Sequence, residues 1–149
     1  MRRINPPSVS DTDAAYIAGL FDGDGMLTVI DNTARAHVLA VNIGSTHLPV
    51  LEWLKFTLRF GTIHKKRCAG YPGQRKVMWY READCHAAEV FIRTVYAHLK
   101  IKRERADAAL TFREDQRQRG FSLIPGACLP IRAMNRPEAS ISCRFQRTA

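Results

Sequence analysis

Residues Ile17 to Gly25, reading Ile-Ala-Gly-Leu-Phe-Asp-Gly-Asp-Gly, constrain this chain more than any other stretch. An apolar helical turn with small residues along one side runs straight into two aspartates set between glycines. Glycine in a helix interior costs about 1 kcal/mol relative to alanine, so Gly19 calls for a packing reason. Ala15, Gly19 and Gly23 recur every fourth residue and therefore share one stripe of the helix. A stripe that bare lets a second backbone come very close. It would also carry Asp22 and Asp24 to the point where the two backbones meet.

The chain has 149 residues, enough for one domain with a proper core. Its net charge of +9 implies a polyanionic partner, nucleic acid rather than a membrane surface. The charge is concentrated. From Arg59 to Arg81 seven residues are Lys or Arg and none is acidic, whereas the first twenty-five residues are acidic on balance. Cys68, Cys85, Cys128 and Cys143 are scattered without a C-x-x-C pair, which reads as reduced cysteines rather than a disulfide framework or zinc site. No apolar run reaches membrane-spanning length, and the N-terminus lacks the apolar core of a secretory signal. The expected location is the cytoplasm, or whichever compartment holds the host DNA, organelle or nucleus included, without secretion.

The pattern along the chain predicts an α+β fold in the order α-ββ-α-ββ-α-α. Residues 1–10 read as an N-terminal arm, 11–119 as the domain, and 120–149, broken by Pro125, Pro130 and Pro137, as a peripheral tail. Ser10 or Thr12 can cap the first helix, which runs to about Asp22. Met26 to Asp31 and Arg35 to Ile43 read as one hairpin, and Thr62 to Arg67 with Arg75 to Arg81 as another. Between them lies a helix capped by Ser45 or Thr46, carrying Pro49 in its first turn and closed by Gly61. Ala88, Phe91, Ile92, Val95 and Leu99 keep helical spacing, as do Ala106, Ala109, Leu110 and Arg113. Two hairpins make a four-stranded antiparallel sheet, curved, with helices on one face and the other open.

Asp22 and Asp24 do not fit a calcium loop of the EF-hand type. Counted from Asp22, Met26 falls where an oxygen ligand belongs, Leu27 replaces the glycine and Thr33 the bidentate glutamate. A carboxylate at a helix end beside glycines suits Mg²⁺, which keeps waters and takes one or two protein carboxylates. The nine-residue string as a whole resembles the LAGLIDADG motif of homing endonucleases, with Ile17, Phe21 and Gly23 as tolerated variants. The resemblance covers about residues 12–118, since the order of elements is also that of the family. It implies that Asp24 holds the metal with the Gly23 carbonyl as a further ligand, that Mg²⁺ is the cofactor, and that Mn²⁺ can substitute. The Lys100-Ile101-Lys102 segment is similar to the family's lysine-bearing turn after the third helix, with Lys102 the better match. After the second strand the family often places a glutamine and an arginine. This chain has no arginine there, and offers Asn42, Ser45, Thr46 and His47 instead, so Asn42 and His47 stand as catalytic candidates beside Asp24 and Lys102.

Base reading is expected from the strands, where alternate residues share a face. Thr28, Ile30 and Asn32 form one set, and Arg35 opens the second strand. His64 with Lys66, and Gln74, Arg75, Lys76 and Arg81, belong to the second hairpin, while Lys65 and Arg67 suit phosphates. The chain has a single motif, yet cutting a duplex needs chemistry on both strands. A homodimer through Ala15, Ala18, Gly19 and Asp22 of the first helix supplies the second centre. The resemblance thus implies a metal-dependent, site-specific double-strand DNA endonuclease, associated with intron or intein mobility. It would act on a long pseudo-palindromic site and leave short 3′ overhangs. The alternative is a non-cleaving member that binds DNA as a regulator or an intron RNA as a splicing helper.

Overall fold

The structure, a computed structural model, describes residues 8–32, 36–66 and 78–119. Helix α1 (Asp11–Asp24) begins where the Ser10 hydroxyl accepts the Asp13 amide at 3.1 Å. That bond satisfies one of the donors a helix start leaves open. Asp11 and Asp13 occupy the first turn, at the positive end of the helix dipole. The helix ends at Gly25, whose backbone is already extended and whose amide donates to the Phe21 carbonyl. A Cβ on Gly25 would stand 2.1 Å from the Phe21 ring and 2.5 Å from the Phe21 carbonyl oxygen. Only glycine lets the chain pass from helix to strand here.

After α1 come β1 (Gly25–Asn32), β2 (Ala36–Ser45), α2 (Leu48–Leu58), β3 (Thr62–Lys66), β4 (Met78–Asp84), α3 (Cys85–Val95) and α4 (Arg103–Arg119). A 3-10 turn, Tyr96–His98, follows α3. The strands form one antiparallel sheet in the order β1-β2-β4-β3. The α+β class and the order of elements are those expected; some boundaries differ. β2 continues two residues past Ile43, and β4 runs to Asp84, three residues past Arg81. Val77 and Trp79 alternate with Met78 and Tyr80 in the sequence and both sets are apolar, so alternation could not mark the fourth strand's register. Pairing on both sides does, with Glu82 opposite Asn42 and Thr62.

The entry and exit of α2 also differ. His47 occupies the N-cap without a side-chain bond, and the Ser45 hydroxyl instead accepts the His47 amide at 3.0 Å, shaping the turn before the helix. Pro49 sits in the first turn as expected. The helix closes at Arg59, which is left-handed at φ 58°, and Gly61 at φ 87° follows in the connection to β3.

Leu27 and Val29 of β1 and Leu39, Val41 and Ile43 of β2 point to one face and are buried. Helices α1, α2 and α3 cover that face with Ile17, Ala18, Phe21, Leu51, Leu54, Leu58, Phe91, Ile92 and Val95. Phe21 and Phe91 meet edge to face at 5.0 Å, an arrangement worth about 0.5–1.5 kcal/mol beyond area burial. Helix α4 packs outside α3 through Ala106, Ala109 and Phe112. On the other face Met26 pairs with Asn42, Thr28 with Ala40 and Ile30 with Val38. Met26 and Ile30 remain exposed there.

A buried polar cluster locks the helices together. Glu89 of α3 receives Arg93 at 3.1 Å, Arg113 at 3.5 Å and Arg117, while Arg113 also donates to Gln116 at 2.7 Å. Gln116 in turn donates to the His37 carbonyl at 2.8 Å, tying α4 to the start of β2. Burial pushes the Glu89 carboxyl up, but Arg117 and Arg93 outweigh it and hold the group below the usual carboxylate range. No described helix is long and apolar enough to cross a membrane.

Candidate functional site

Asp22 and Asp24 share the last turn of α1, yet helical rotation sends them to different environments. Asp22 is buried and Asp24 exposed. The Asp22 carboxylate accepts three successive amides: Lys100 at 2.7 Å and Ile101 at 3.1 Å on Oδ2, and Lys102 at 2.9 Å on Oδ1. These donors lie just ahead of α4, so an acid at the end of one helix caps the approach to another. Burial raises the Asp22 carboxyl, but the three amides and the Lys102 charge outweigh that and keep it below its ordinary value.

The link runs both ways. Lys102 Nζ donates to the Asp22 carbonyl oxygen and lies 5.7 Å from the centre of the Phe21 ring. The last carbonyls of a helix lack intrahelical partners and form the negative end of its dipole, so a cation is favoured there. Lys102 is only 6% exposed. Burial lowers its ammonium pKa, the Asp22 charge pushes it back up, Arg105 lowers it and Asp24 raises it. The Asp24 charge therefore reaches the ammonium that Asp22 anchors. Acid and lysine are brought together by one joint between α1 and α4.

Asp24 and Gly23 are exposed, and a Cβ placed on Gly23 would meet nothing within 4 Å. The donors at this point are a carboxylate and helix-end carbonyl oxygens, hard ligands that fit Mg²⁺. Among the described residues no three His, Cys, Asp or Glu side chains cluster in a way that would hold a metal ion. Ile43 pairs with Gly25, so Gly44 to His47 run past the α1–β1 junction toward the same end of the sheet as Asp24. His47 is exposed there, and Asn42, opposite Met26, is half-buried on the open face.

The expected base-reading residues are divided. Thr28 and Ile30 lie on the open face. His64 is exposed and shares a 2.8 Å hydrogen bond with the Thr62 hydroxyl, and Lys65 is exposed one register position away. The register pairs Lys66 with Met78, and Arg81 with both Ile43 and Ile63. The side chains of Asn32, Lys66 and Arg81 lie outside those described, as do Arg35, Arg67, Gln74, Arg75, Lys76, the tail and residues 1–7 entirely.

The stripe on α1 is only partly as expected. Ala15 and Gly19 are exposed, and a Cβ on Gly19 would meet nothing within 4 Å. Ala18 and Asp22 turn inward instead. Ala18 is 0% exposed among Ile17 and Phe21, and Asp22 is held by the Lys100–Lys102 turn. Neither presents itself to a second chain; the outward stripe is Ala15, Gly19 and Gly23, flanked by exposed Tyr16. Sequence reasoning missed Met26, although its alternation with buried Leu27 placed it beside Thr28 and Ile30.

No protein-family model matches the sequence, and no curated protein matches it either. Solved structures do. The chain is similar to the homing endonuclease I-CvuI in complex with DNA in the presence of Mg, with TM-score 0.66 and 15% identity over 86% of this chain and 85% of that one. It is similar to the archaeal intron-encoded homing endonuclease I-Vdi141I complexed with DNA, with TM-score 0.61 and 18% identity over 81% and 78%. For the meganuclease I-SmaMI bound to uncleavable DNA the TM-score is 0.59 and the identity 18%, over 82% of this chain but 43% of that one.

Proposed function

We propose, on the premise that this chain has the fold of the LAGLIDADG homing endonucleases, that it is a site-specific double-strand DNA endonuclease acting as a homodimer with a divalent metal. The observation that carries the reading is the joint at the end of α1. It presents Asp24 outward and fastens the Lys102 ammonium to the carbonyl two residues earlier. Similar folds solved on DNA, with Mg in one case and Ca in another, support a DNA partner and a divalent ion. The net charge of +9 supports the same partner.

In this reading Asp24 and the Gly23 carbonyl hold Mg²⁺, with Mn²⁺ as substitute. When bound, such an ion lowers the pKa of water and stabilises the leaving oxygen of a phosphodiester. Lys102 keeps a positive charge beside the phosphate, fixed against the helix carbonyl rather than free to swing. Asn42 and His47 supply polar groups at the same end of the sheet, where they order water near the cut. Thr28, Ile30 and His64 face the duplex, while Lys65, which alternates to the other side of β3, is left to reach phosphates from the sheet edge. Two copies meeting on Ala15 and Gly19 bring one Asp24 to each strand of a pseudo-palindromic site, as intron or intein mobility requires.

Supercoiled DNA carrying sites selected from a randomised library is the direct test, run with Mg²⁺ and with chelator. Linear product that disappears on chelation is the expected result. Retained binding with no cutting under any divalent ion would leave the non-cleaving alternative, a DNA-binding regulator or an intron RNA splicing helper.

A further inference from the structure

The open face of β1 and β2 carries an unusual set of side chains for a surface meant for a polyanion. Met26 is 47% exposed and Ile30 44% exposed, two of the five large hydrophobic residues left exposed among those described. Both are on β1, on the side away from the helices, with Thr28 between them. Their cross-strand partners are Asn42 for Met26 and Val38 for Ile30. From Met26 to Ile30 on β1 and from Val38 to Gly44 on β2, this face bears no charged residue. Among the described strand residues the lysines lie on β3, at the far edge of the sheet, and the one arginine, Arg81, on β4.

A strand or ribbon in the major groove meets base edges, and the apolar group displayed there is the thymine C5-methyl. Apolar side chains such as Met26 and Ile30 gain nothing from phosphates. Met26 and Ile30 would stay unfavourably wet unless something apolar covers them. Met26 follows Gly25 and Asp24 directly, so this part of the face lies next to the proposed cut.

We propose that Met26 and Ile30 are specificity-determining residues that read thymine methyl groups in the inner part of each half-site. The proposal rests on the endonuclease reading above and deepens it by naming the bases. Four residues of strand span about 13 Å, which is about four base-pair steps of 3.4 Å. The two methyl contacts therefore fall about four base pairs apart, Met26 nearer the cut.

The test replaces each thymine of a selected site, one at a time, with deoxyuridine, which deletes the methyl and keeps the pairing. Deoxyuridine at two inner positions per half-site is expected to weaken binding about four-fold each, the transfer value of one buried carbon. Ile30→Ala is expected to abolish the thymine–deoxyuridine difference at the outer of those positions and keep it at the inner one; Met26→Ala does the converse. Thermal unfolding of both variants shows that they are folded. Cutting that tolerates deoxyuridine throughout, or selected sites without inner thymines, overturns the inference and leaves the endonuclease reading intact. Failure to bind any duplex overturns both.

Discussion

Single residues at the α1–β1 junction have separable duties, and substitutions can tell them apart. Asp24→Asn removes charge from the outward carboxylate without altering packing, so duplex affinity should stay within about two-fold while cutting falls at least about a hundred-fold, the scale of losing one aimed electrostatic group. Unchanged cutting on a filter-binding-matched sample would remove Asp24 from the chemistry. Gly25→Ala tests the backbone rather than the site. Its methyl would press into Phe21, so unfolding in urea should show a loss of about 1–3 kcal/mol. The nine-residue motif was legible as a motif because glycine and aspartate at fixed spacing have few structural explanations. That Ala18 and Asp22 turn inward was not, because a helix stripe drawn from small residues alone does not say how far the core wraps around it.

At the scale of elements, two clamps hold the helices: Asp22 on the turn before α4, and Glu89 on the arginines of α3 and α4. Both carboxyls are lowered by their donors, so the unfolded chain takes up their protons first as pH falls. Their contribution is fully present above the ordinary carboxylate range of about pH 4. It drains away as pH drops through the lower folded values. Urea midpoints measured from pH 7 down to pH 3 should decline, and Glu89→Gln should start lower at neutral pH and decline less. Asp22→Ala leaves the Lys100, Ile101 and Lys102 amides without their charged acceptor and should cost at least about 1.5–3 kcal/mol. If it unfolds no more easily than the native chain, the clamp has been misread. Neither cluster was visible in the sequence. Asp22 lies 80 residues from Lys102 and Glu89 24 from Arg113, and nothing local marks such pairs. Elements with strong periodicity, such as α3, were placed well. The edges of β2, β4 and α2 were set by cross-strand pairing and by Arg59 adopting a left-handed turn, which composition does not announce.

For the whole molecule, the empty space over Gly19 is the observation with most reach. Among the described residues nothing approaches that position, so no described contact accounts for glycine there. In the proposed dimer the partner's helix does. Gly19→Ala should then make the isolated chain more stable by about 1 kcal/mol while weakening self-association, and Gly19→Leu should leave only monomers by sedimentation. A Gly19→Leu protein that remains dimeric and cuts would end the case for this interface. The Asp22 joint adds a consequence for two such copies side by side. Because acid and ammonium hang from one hinge at the end of α1, neither can be moved without the other. The angle at which the twin helices cross becomes a single dial, and turning it would detune the cuts on both strands in step.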